Sequence, residues 1–334
     1  MKKIALFAIL TFMATVMLAG CKTETGETGA ASKKISIIAT IYPQYDWLKN
    51  ILGDSADSVD LKLLVKNGMD LHSYQPSAQD IASIAKADMV VYVGGESDEW
   101  IEKALAATPK EGRIEVNLMK ALGDRVKEEE IVEGMQAEEH DKVTEPAEVS
   151  SEHHEEEIEN DEHIWLSLKN AEFLVQEITA ELPHTLVLRY VKNAAAYMAK
   201  IELLDKEFAA AASEATEKTV LFGDRFPFRY LVDDYGIKYF AAFVGCSAES
   251  EASFETVTFL AGKMDSLQLP AIFTIDGSDG KIARAILDAS KNSKNAEILT
   301  LNSMQSVTDD QIRAGVSYLS IMQSNLEVLK KALK

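Results

Sequence analysis

Residues 185–217 read TLVLRYVKNAAAYMAKIELLDKEFAAAASEATE, and the predicted fold is organised around this segment. Its apolar side chains recur mostly at intervals of three and four residues, it is rich in alanine, and no Gly or Pro interrupts it. Such a pattern predicts one continuous α-helix. At 1.5 Å per residue the helix would be roughly 50 Å long, which is long for a globular domain. We therefore predict a strut that joins two lobes.

The chain on either side of this helix alternates between short apolar runs and helical patterns. Before it, strands are predicted at 35–39, 61–65, 89–93 and 114–118, with helices at 45–52, 78–87 and 99–106. After it, strands are predicted at 219–222, 239–243, 271–275 and 297–301, with helices at 228–235, 254–267, 281–290 and 309–333. Apolar strands separated by helices indicate mostly parallel sheets with helices on both faces. The predicted fold class is α/β, with two such lobes (33–182 and 218–334) joined by one long rigid linker helix (183–217).

The first residues predict export from the cytoplasm. A basic start is followed by an uncharged apolar run that is too short for a comfortable membrane span, and then by Leu18-Ala19-Gly20-Cys21. This resembles the lipobox of bacterial lipoproteins, in which the Cys is diacylated and becomes the first residue of the mature chain. The alternative is an ordinary signal peptide cut near Ala19. We expect residues 1–20 to be removed, Cys21 to anchor the protein to a bacterial membrane, and the polar residues up to 32 to form a tether.

Charge is concentrated in one segment. Residues 127–162 contain 16 acidic residues and two Lys, and therefore carry −14 of the net charge of −20. His140, His153 and His154 lie inside this segment, and His163 follows it. So many charges cannot bury a core, which predicts a disordered or mobile insertion. The acidic balance also argues against nucleic acid as a partner.

Two histidines outside that insertion are candidate metal ligands. His72 stands in KNGMDLHSYQPS (66–77), a loop after a predicted parallel strand, where α/β folds place ligands. His163 stands in DEHIWL (161–166), where the acidic segment gives way to an apolar one. Neutral imidazole is the commonest ligand of transition metals in proteins. Together, the two loop histidines and the histidine-containing acidic segment indicate a transition-metal site.

The same stretches, together with AKAD (85–88), GE (95–96) to WI (100–101), and YVKNA (190–194), resemble the metal-binding proteins of bacterial ABC importers. The resemblance is to the family that includes zinc-specific and manganese-specific lipoproteins, and it covers nearly all of the mature chain. It implies two α/β lobes bridged by a long helix, with a metal between them. It also implies that His72 and His163 are the first two ligands. The acidic, histidine-containing insertion is similar to a loop of the zinc-specific members, where mobile imidazoles and carboxylates concentrate cations.

The ligands from the second lobe stay open at this stage. The family has a third His where this chain aligns Gly223, and an acid late in the lobe where Asp276 is offset by one residue. Asp276 is therefore the first candidate and Asp224 the second, although Asp224 could instead pair with its neighbour Arg225. Cys246 is a third candidate, or else a small buried apolar residue, and water could fill the last position. With Cys21 acylated, Cys246 has no partner for an internal disulfide.

The resemblance implies a monomeric, non-enzymatic protein that captures Zn²⁺ and delivers it to an ABC permease and its ATPase. Mn²⁺ or iron is the alternative cargo, and a surface adhesin or metal-sequestering lipoprotein is an alternative role. A secreted zinc hydrolase is disfavoured because the chain contains no His-Glu-x-x-His motif. Since only neutral imidazole binds metal, affinity is expected to fall as the pH drops toward and below about 6.5.

Overall fold

The computed structural model describes residues 34–136, 159–182, 187–247 and 251–333. The predicted signal peptide, Cys21, the tether, His140, His153, His154 and His184 lie outside these residues. Within the described part of the chain, no helix combines the length and the apolar character that crossing a membrane requires.

The first half of the chain builds a four-stranded parallel sheet. Its order is β2-β1-β3-β4, formed by β1 (Ile35–Ala39), β2 (Val59–Leu63), β3 (Met89–Tyr92) and β4 (Ile114–Asn117). The central strand β3 is buried along its whole length, because its sequence MVVY is apolar on both faces. The helices of this half are α1 (Tyr42–Leu52), α2 (Ala78–Lys86), α3 (Glu99–Ala107), α4 (Leu118–Leu122) and α5 (Leu168–Glu181).

The second half repeats this architecture. Its sheet has the order β6-β5-β7-β8, formed by β5 (Thr219–Phe226), β6 (Lys238–Val244), β7 (Ala271–Ile275) and β8 (Glu297–Leu301), and all its neighbouring strands are parallel. The long helix α6 (Val187–Glu214) precedes it. The remaining helices are α7 (Arg229–Tyr235), α8 (Phe254–Leu267), α9 (Lys281–Ala289), α10 (Asp309–Arg313) and α11 (Tyr318–Ala332). The predicted pair of parallel α/β lobes is confirmed.

The linker helix α6 has 28 residues, which corresponds to about 42 Å. It packs against α1 and α5 of the first half and against α7 and α11 of the second. It therefore bridges the two sheets, as the sequence predicts.

The predicted helix at 309–333 is wrong as a single element. Gly315 adopts φ +89°, a left-handed conformation that favours glycine, and it separates α10 from α11. Ser317 then starts α11, because its side chain accepts a hydrogen bond from the Ser320 N–H.

The two halves are joined by buried contacts as well as by α6. Tyr318, at the start of α11, donates its main-chain N–H to Asp46 of α1 at 3.1 Å and its hydroxyl to the Trp165 carbonyl at 2.8 Å. The indole N–H of Trp165 donates to the Ser303 carbonyl at 2.9 Å. These bonds are buried, so they hold the loops of the two halves together near the site described next.

The acidic segment 127–162 is ordered at both of its ends, which corrects the prediction that all of it is mobile. The Glu129 N–H donates to the Glu159 carbonyl at 2.8 Å, and the Gln136 N–H donates to the Ala242 carbonyl of β6 at 2.9 Å. Met135 is buried in the core. The first end is ordered because the apolar Met135 side chain is buried and the Gln136 main chain bonds to the second sheet. The middle, 137–158, lies outside the described residues.

Candidate metal centre

His72 lies on a single turn of 3₁₀ helix, Leu71–Ser73, in the loop that follows β2. Asp70 begins this turn, and its Oδ1 accepts a hydrogen bond from the His72 N–H at 3.0 Å. The Nδ1 atom of His72 lies 2.6 Å from the hydroxyl of Ser97, in the loop after β3. The ring is therefore oriented by two loops at the carboxyl ends of β2 and β3, two parallel strands on either side of β1, and this is the edge at which α/β folds bind ligands.

His163 is fully buried and is held by its own neighbour in sequence. Asp161 Oδ1 accepts from the His163 main-chain N–H at 2.8 Å and lies 3.0 Å from the His163 Nδ1 atom. A carboxylate cannot donate, so Nδ1 carries the proton and donates it. This leaves Nε2 as the nitrogen that can bind a metal ion. Carboxylates commonly orient metal-binding histidines in this way.

The two imidazoles face each other with their Nε2 atoms, the nitrogens that the oxygens described above do not contact. His72 Nε2 and His163 Nε2 are 3.1 Å apart, and the ring centroids are 5.1 Å apart. Two nitrogens bound to the same tetrahedral zinc ion at 2.0–2.1 Å would be separated by about 3.3 Å. The observed pair is therefore close to the geometry that one such ion requires.

Cys246 is the third member of the group and comes from the second half of the chain. Its sulfur and the nearest nitrogens of His72 and His163 all lie within 4.8 Å of one another. Gly245 permits this approach, because a Cβ atom there would lie only 3.0 Å from the His163 ring. Sulfur and nitrogen on one tetrahedral zinc are about 3.5 Å apart, so binding one ion would require the group to contract to that separation.

The chain that carries this candidate centre is similar to known proteins over most of its length. A family model described as the periplasmic component A of zinc-uptake complexes, ZnuA, matches residues 37–332. The chain belongs to the ZnuA family.

Two relatives and a solved structure are also similar to this chain over most of its length. The zinc-binding lipoprotein AdcA of Streptococcus pneumoniae is 31% identical over 339 residues, which cover 99% of this chain and 61% of AdcA. The high-affinity zinc uptake system protein ZnuA of Bacillus subtilis is 28% identical over 332 residues, covering 98% and 97%. The crystal structure of the Zn(II)-bound ZnuA-like domain of AdcA gives a TM-score of 0.66 at 27% identity, covering 90% of this chain and 99% of that domain. This chain therefore spans about three fifths of the length of AdcA.

Asp276 and Asp224, the acids considered as ZnuA-type ligands, are not brought into this group. Both Asp276 oxygens accept hydrogen bonds from the main chain and hydroxyls of Ser303 and Ser306, including 2.5 Å from the Ser303 N–H. Asp224 accepts from the N–H of its neighbour Arg225 at 2.9 Å. Among the described residues, the group able to hold a metal consists of His72, His163 and Cys246. The two aspartates instead line a separate part of the cleft.

Gly223, the position aligned with the missing third histidine, faces away from the imidazoles. A Cβ atom built there would lie 2.5 Å from the Cα of Ala283 in α9. A side chain at this position would therefore point into a helix. The pairing of β5 with β6 shifts in register between Phe222 and Arg225, so the positions after Gly223 present different faces to the cleft than regular alternation predicts.

The protonation of the ligands changes the expected pH dependence. Burial, followed by the nearby His163 ring, lowers the pKa of His72 to about 3. A lowered histidine pKa favours the neutral form that can bind metal, so we expect His72 to contribute little to any loss of zinc affinity near pH 6.5. Burial, followed by the negative charge of Glu129, raises the pKa of the Cys246 thiol well above its ordinary value. A thiol that binds zinc as thiolate must lose its proton on binding.

Sequence reasoning missed the residues that support the ligands. Ser97 carries no recognisable signal, because its contact with His72 exists only in the folded chain. Asp161 stands in the quoted DEH motif, and its spacing of two residues from His163 is the signal that could have revealed its role. The adjacent Glu162 accepts from the Ser97 N–H at 2.8 Å, and its other oxygen is buried without a hydrogen-bond partner, 3.9 Å from His72 Nδ1. Burial raises the pKa of Glu162.

Proposed function

We propose that this protein captures Zn²⁺ outside the cytoplasm with His72, His163 and Cys246 and delivers it to an ABC permease and its ATPase. One observation carries the proposal: two imidazoles with their Nδ1 atoms held by oxygens and their Nε2 atoms 3.1 Å apart, beside a cysteine sulfur. Three protein ligands leave a fourth tetrahedral position for water or a second-lobe group. We expect an ion with such an open position to be exchangeable, as delivery to a permease requires.

The choice of zinc rests on the chemistry of the donors. Imidazole and thiolate favour zinc, whereas manganese is better served by carboxylate, carbonyl and water oxygens. The carboxylate candidates Asp276 and Asp224 accept hydrogen bonds from main-chain N–H groups instead. A titration with Zn²⁺ and Mn²⁺ in competition, using the soluble chain from Lys22 onward, tests this choice. A site that holds manganese more tightly than zinc would overturn it.

Location and anchoring belong to the same proposal. The proposed lipid on Cys21, reached through the tether 22–32, would keep the mature protein at the outer face of the cytoplasmic membrane or in the periplasm, next to a permease. Mass spectrometry of the N-terminal peptide from membrane fractions tests it. A soluble protein cut near Ala19 would contradict the anchor without affecting the metal centre.

Asp161→Asn is expected to weaken zinc binding by roughly 10- to 100-fold, the usual effect of removing a charged partner from a metal-binding histidine. The amide keeps an oxygen for the His163 N–H but cannot balance the charge that develops on the metal-bound ring. Isothermal titration with a competing chelator measures the change. Asp46→Asn is the matched control, because Asp46 is also a buried, hydrogen-bonded aspartate but lies in α1. Equal affinities for the Asp161→Asn protein and the wild type would show that Asp161 has no such role.

Deleting residues 137–158 is expected to leave the tight zinc site within about threefold of the wild type while removing weaker zinc binding. The described ends of the segment stay in place in this deletion, including Glu129 and Gln136, which contact the second sheet and the Cys246 loop. A full-length variant with His140, His153 and His154 changed to Ala separates the effect of the imidazoles from that of length and acidic charge. Loss of the tight site with the deletion would place the metal store in the insertion instead.

A further inference from the structure

The guanidinium of Arg225 lies between the two loops that carry candidate ligands. Arg225 belongs to β5 of the second sheet. Its Nη2 atom lies 2.7 Å from Oδ2 of Asp70 in the first half of the chain, and its Nη1 donates to the Ser247 carbonyl at 3.4 Å. Asp70 is two residues before His72, and Ser247 directly follows Cys246. One side chain therefore contacts the loops of two ligands that come from opposite halves of the chain.

Asp70 links this arginine to His72 through a single carboxylate. Its Oδ2 accepts from Arg225 while its Oδ1 accepts from the His72 N–H at 3.0 Å. The ion pair is largely shielded, with the two side chains 20% and 23% exposed. Shielded, charge-assisted hydrogen bonds are stronger and less screened than surface pairs. A shift of the Arg225 guanidinium would therefore displace the turn that carries the His72 imidazole.

Asp224 and Asp276, the other two aspartates near Arg225, form different hydrogen bonds. Asp224 accepts the Arg225 main-chain N–H, and Asp276 is occupied by serines of the 303–306 turn. A guanidinium has no lone pair to offer a metal, so Arg225 cannot be a ligand itself. Its contacts with Asp70 and the Ser247 carbonyl instead fix the distance between the two loops that carry candidate ligands.

We propose that Arg225 is a positioning residue for zinc: through Asp70 and the Ser247 carbonyl it holds the two loops at the separation that lets His72 and Cys246 bind the same ion, and it thereby sets how fast zinc leaves. The proposal rests on the ligand set given above. It assigns the zinc-release rate to an ion pair between the two lobes rather than to the ligands alone. Breaking Asp70–Arg225 would let the Cys246 loop move away from the imidazoles.

The test measures the release of Zn²⁺ from the soluble full chain into excess chelator. Arg225→Met is expected to raise the release rate about tenfold or more. Arg225→Lys should restore part of the slow release, because an ammonium can reach Asp70 but cannot also hold the Ser247 carbonyl. Asp70→Asn keeps an acceptor for the His72 N–H and loses the charge, so it should behave like Arg225→Met. Combining the two should add nothing further, since both break one interaction.

Cobalt(II) in place of zinc provides a second readout that a general loss of stability would not change. The thiolate-to-cobalt charge-transfer band should weaken in Arg225→Met and persist in Arg229→Met, a matched control whose arginine pairs with Glu130 and Asp233 instead. Unchanged release and an unchanged band in Arg225→Met, or strictly additive effects of the two substitutions, would overturn the proposal. If the wild type shows no tight zinc site that His72→Ala removes, the proposed function itself fails. A tight site that is indifferent to Arg225 removes only the positioning role.

Discussion

Replacing His163 by alanine is expected to remove tight zinc binding, with a loss of affinity greater than about 100-fold. Removing a group that merely orients a ligand already costs 10- to 100-fold, and His163 is a ligand in the proposed set. The ring is fully buried, and its Nε2 atom lies 3.1 Å from that of His72. Without it, the ion keeps one imidazole and one thiol that must first be deprotonated. His72→Ala should have a similar effect for the same reason.

Both variants are measured by competition with a chelator of known zinc affinity, alongside a thermal unfolding curve without metal. The unfolding curve separates lost binding from lost folding, since His163 also packs against Trp165 at 5.2 Å between ring centroids. His184→Ala is a control that removes a histidine outside every motif. Tight zinc binding that survives both His72→Ala and His163→Ala would refute the metal centre described here.

Cys246→Ser is expected to weaken zinc binding, most strongly toward pH 8, and to change how affinity depends on pH. Burial, followed by the charge of Glu129, raises the pKa of the Cys246 thiol, so the thiol is protonated in the zinc-free protein at pH 6–8. Zinc must displace that proton to bind thiolate, and the wild-type affinity should therefore rise by about tenfold per pH unit from this residue alone. His72, whose pKa is lowered to about 3 chiefly by burial, adds no proton release in this range.

The decisive quantity is the difference in slope between the wild type and Cys246→Ser, because any other titrating group contributes to both. Affinities are measured at intervals between pH 6 and 8 on the chain from Lys22 onward, in which Cys246 is the sole cysteine. We expect the slopes to differ by one proton per zinc. Parallel slopes would mean that the sulfur stays protonated and that water or another group completes the zinc sphere.

The sequence predicts the fold well because its signals are local and periodic. The apolar runs that became β3 and β7 are hydrophobic on both faces, which is the requirement for a central parallel strand. The apolar residues at intervals of three and four before Glu217 predict α6 without any tertiary information. The break at Gly315 was missed because a helical pattern continues on both sides of it, and one glycine is often tolerated within a helix.

The candidate site was predicted in part. His72 and His163 stand in motifs that can be read directly, and the structure brings their Nε2 atoms together. Cys246 was one of three candidates from the second half, and only the folded chain places its sulfur beside the imidazoles while Asp276 accepts hydrogen bonds from serines. Distances between residues so far apart in sequence depend on how two sheets are juxtaposed, which no local pattern records.

Local sequence patterns are enough to predict two parallel α/β lobes, the long helix between them, and the two histidines as candidate metal ligands. Tertiary structure decided which side chain of the second lobe meets them and what holds it there. Near the site, Gly223 faces Ala283, the register of β5 shifts between Phe222 and Arg225, and Arg225 reaches Asp70 of the first half. Such a shift arises from packing against neighbouring strands and helices, so strand alternation read from the sequence assigns the wrong faces after it.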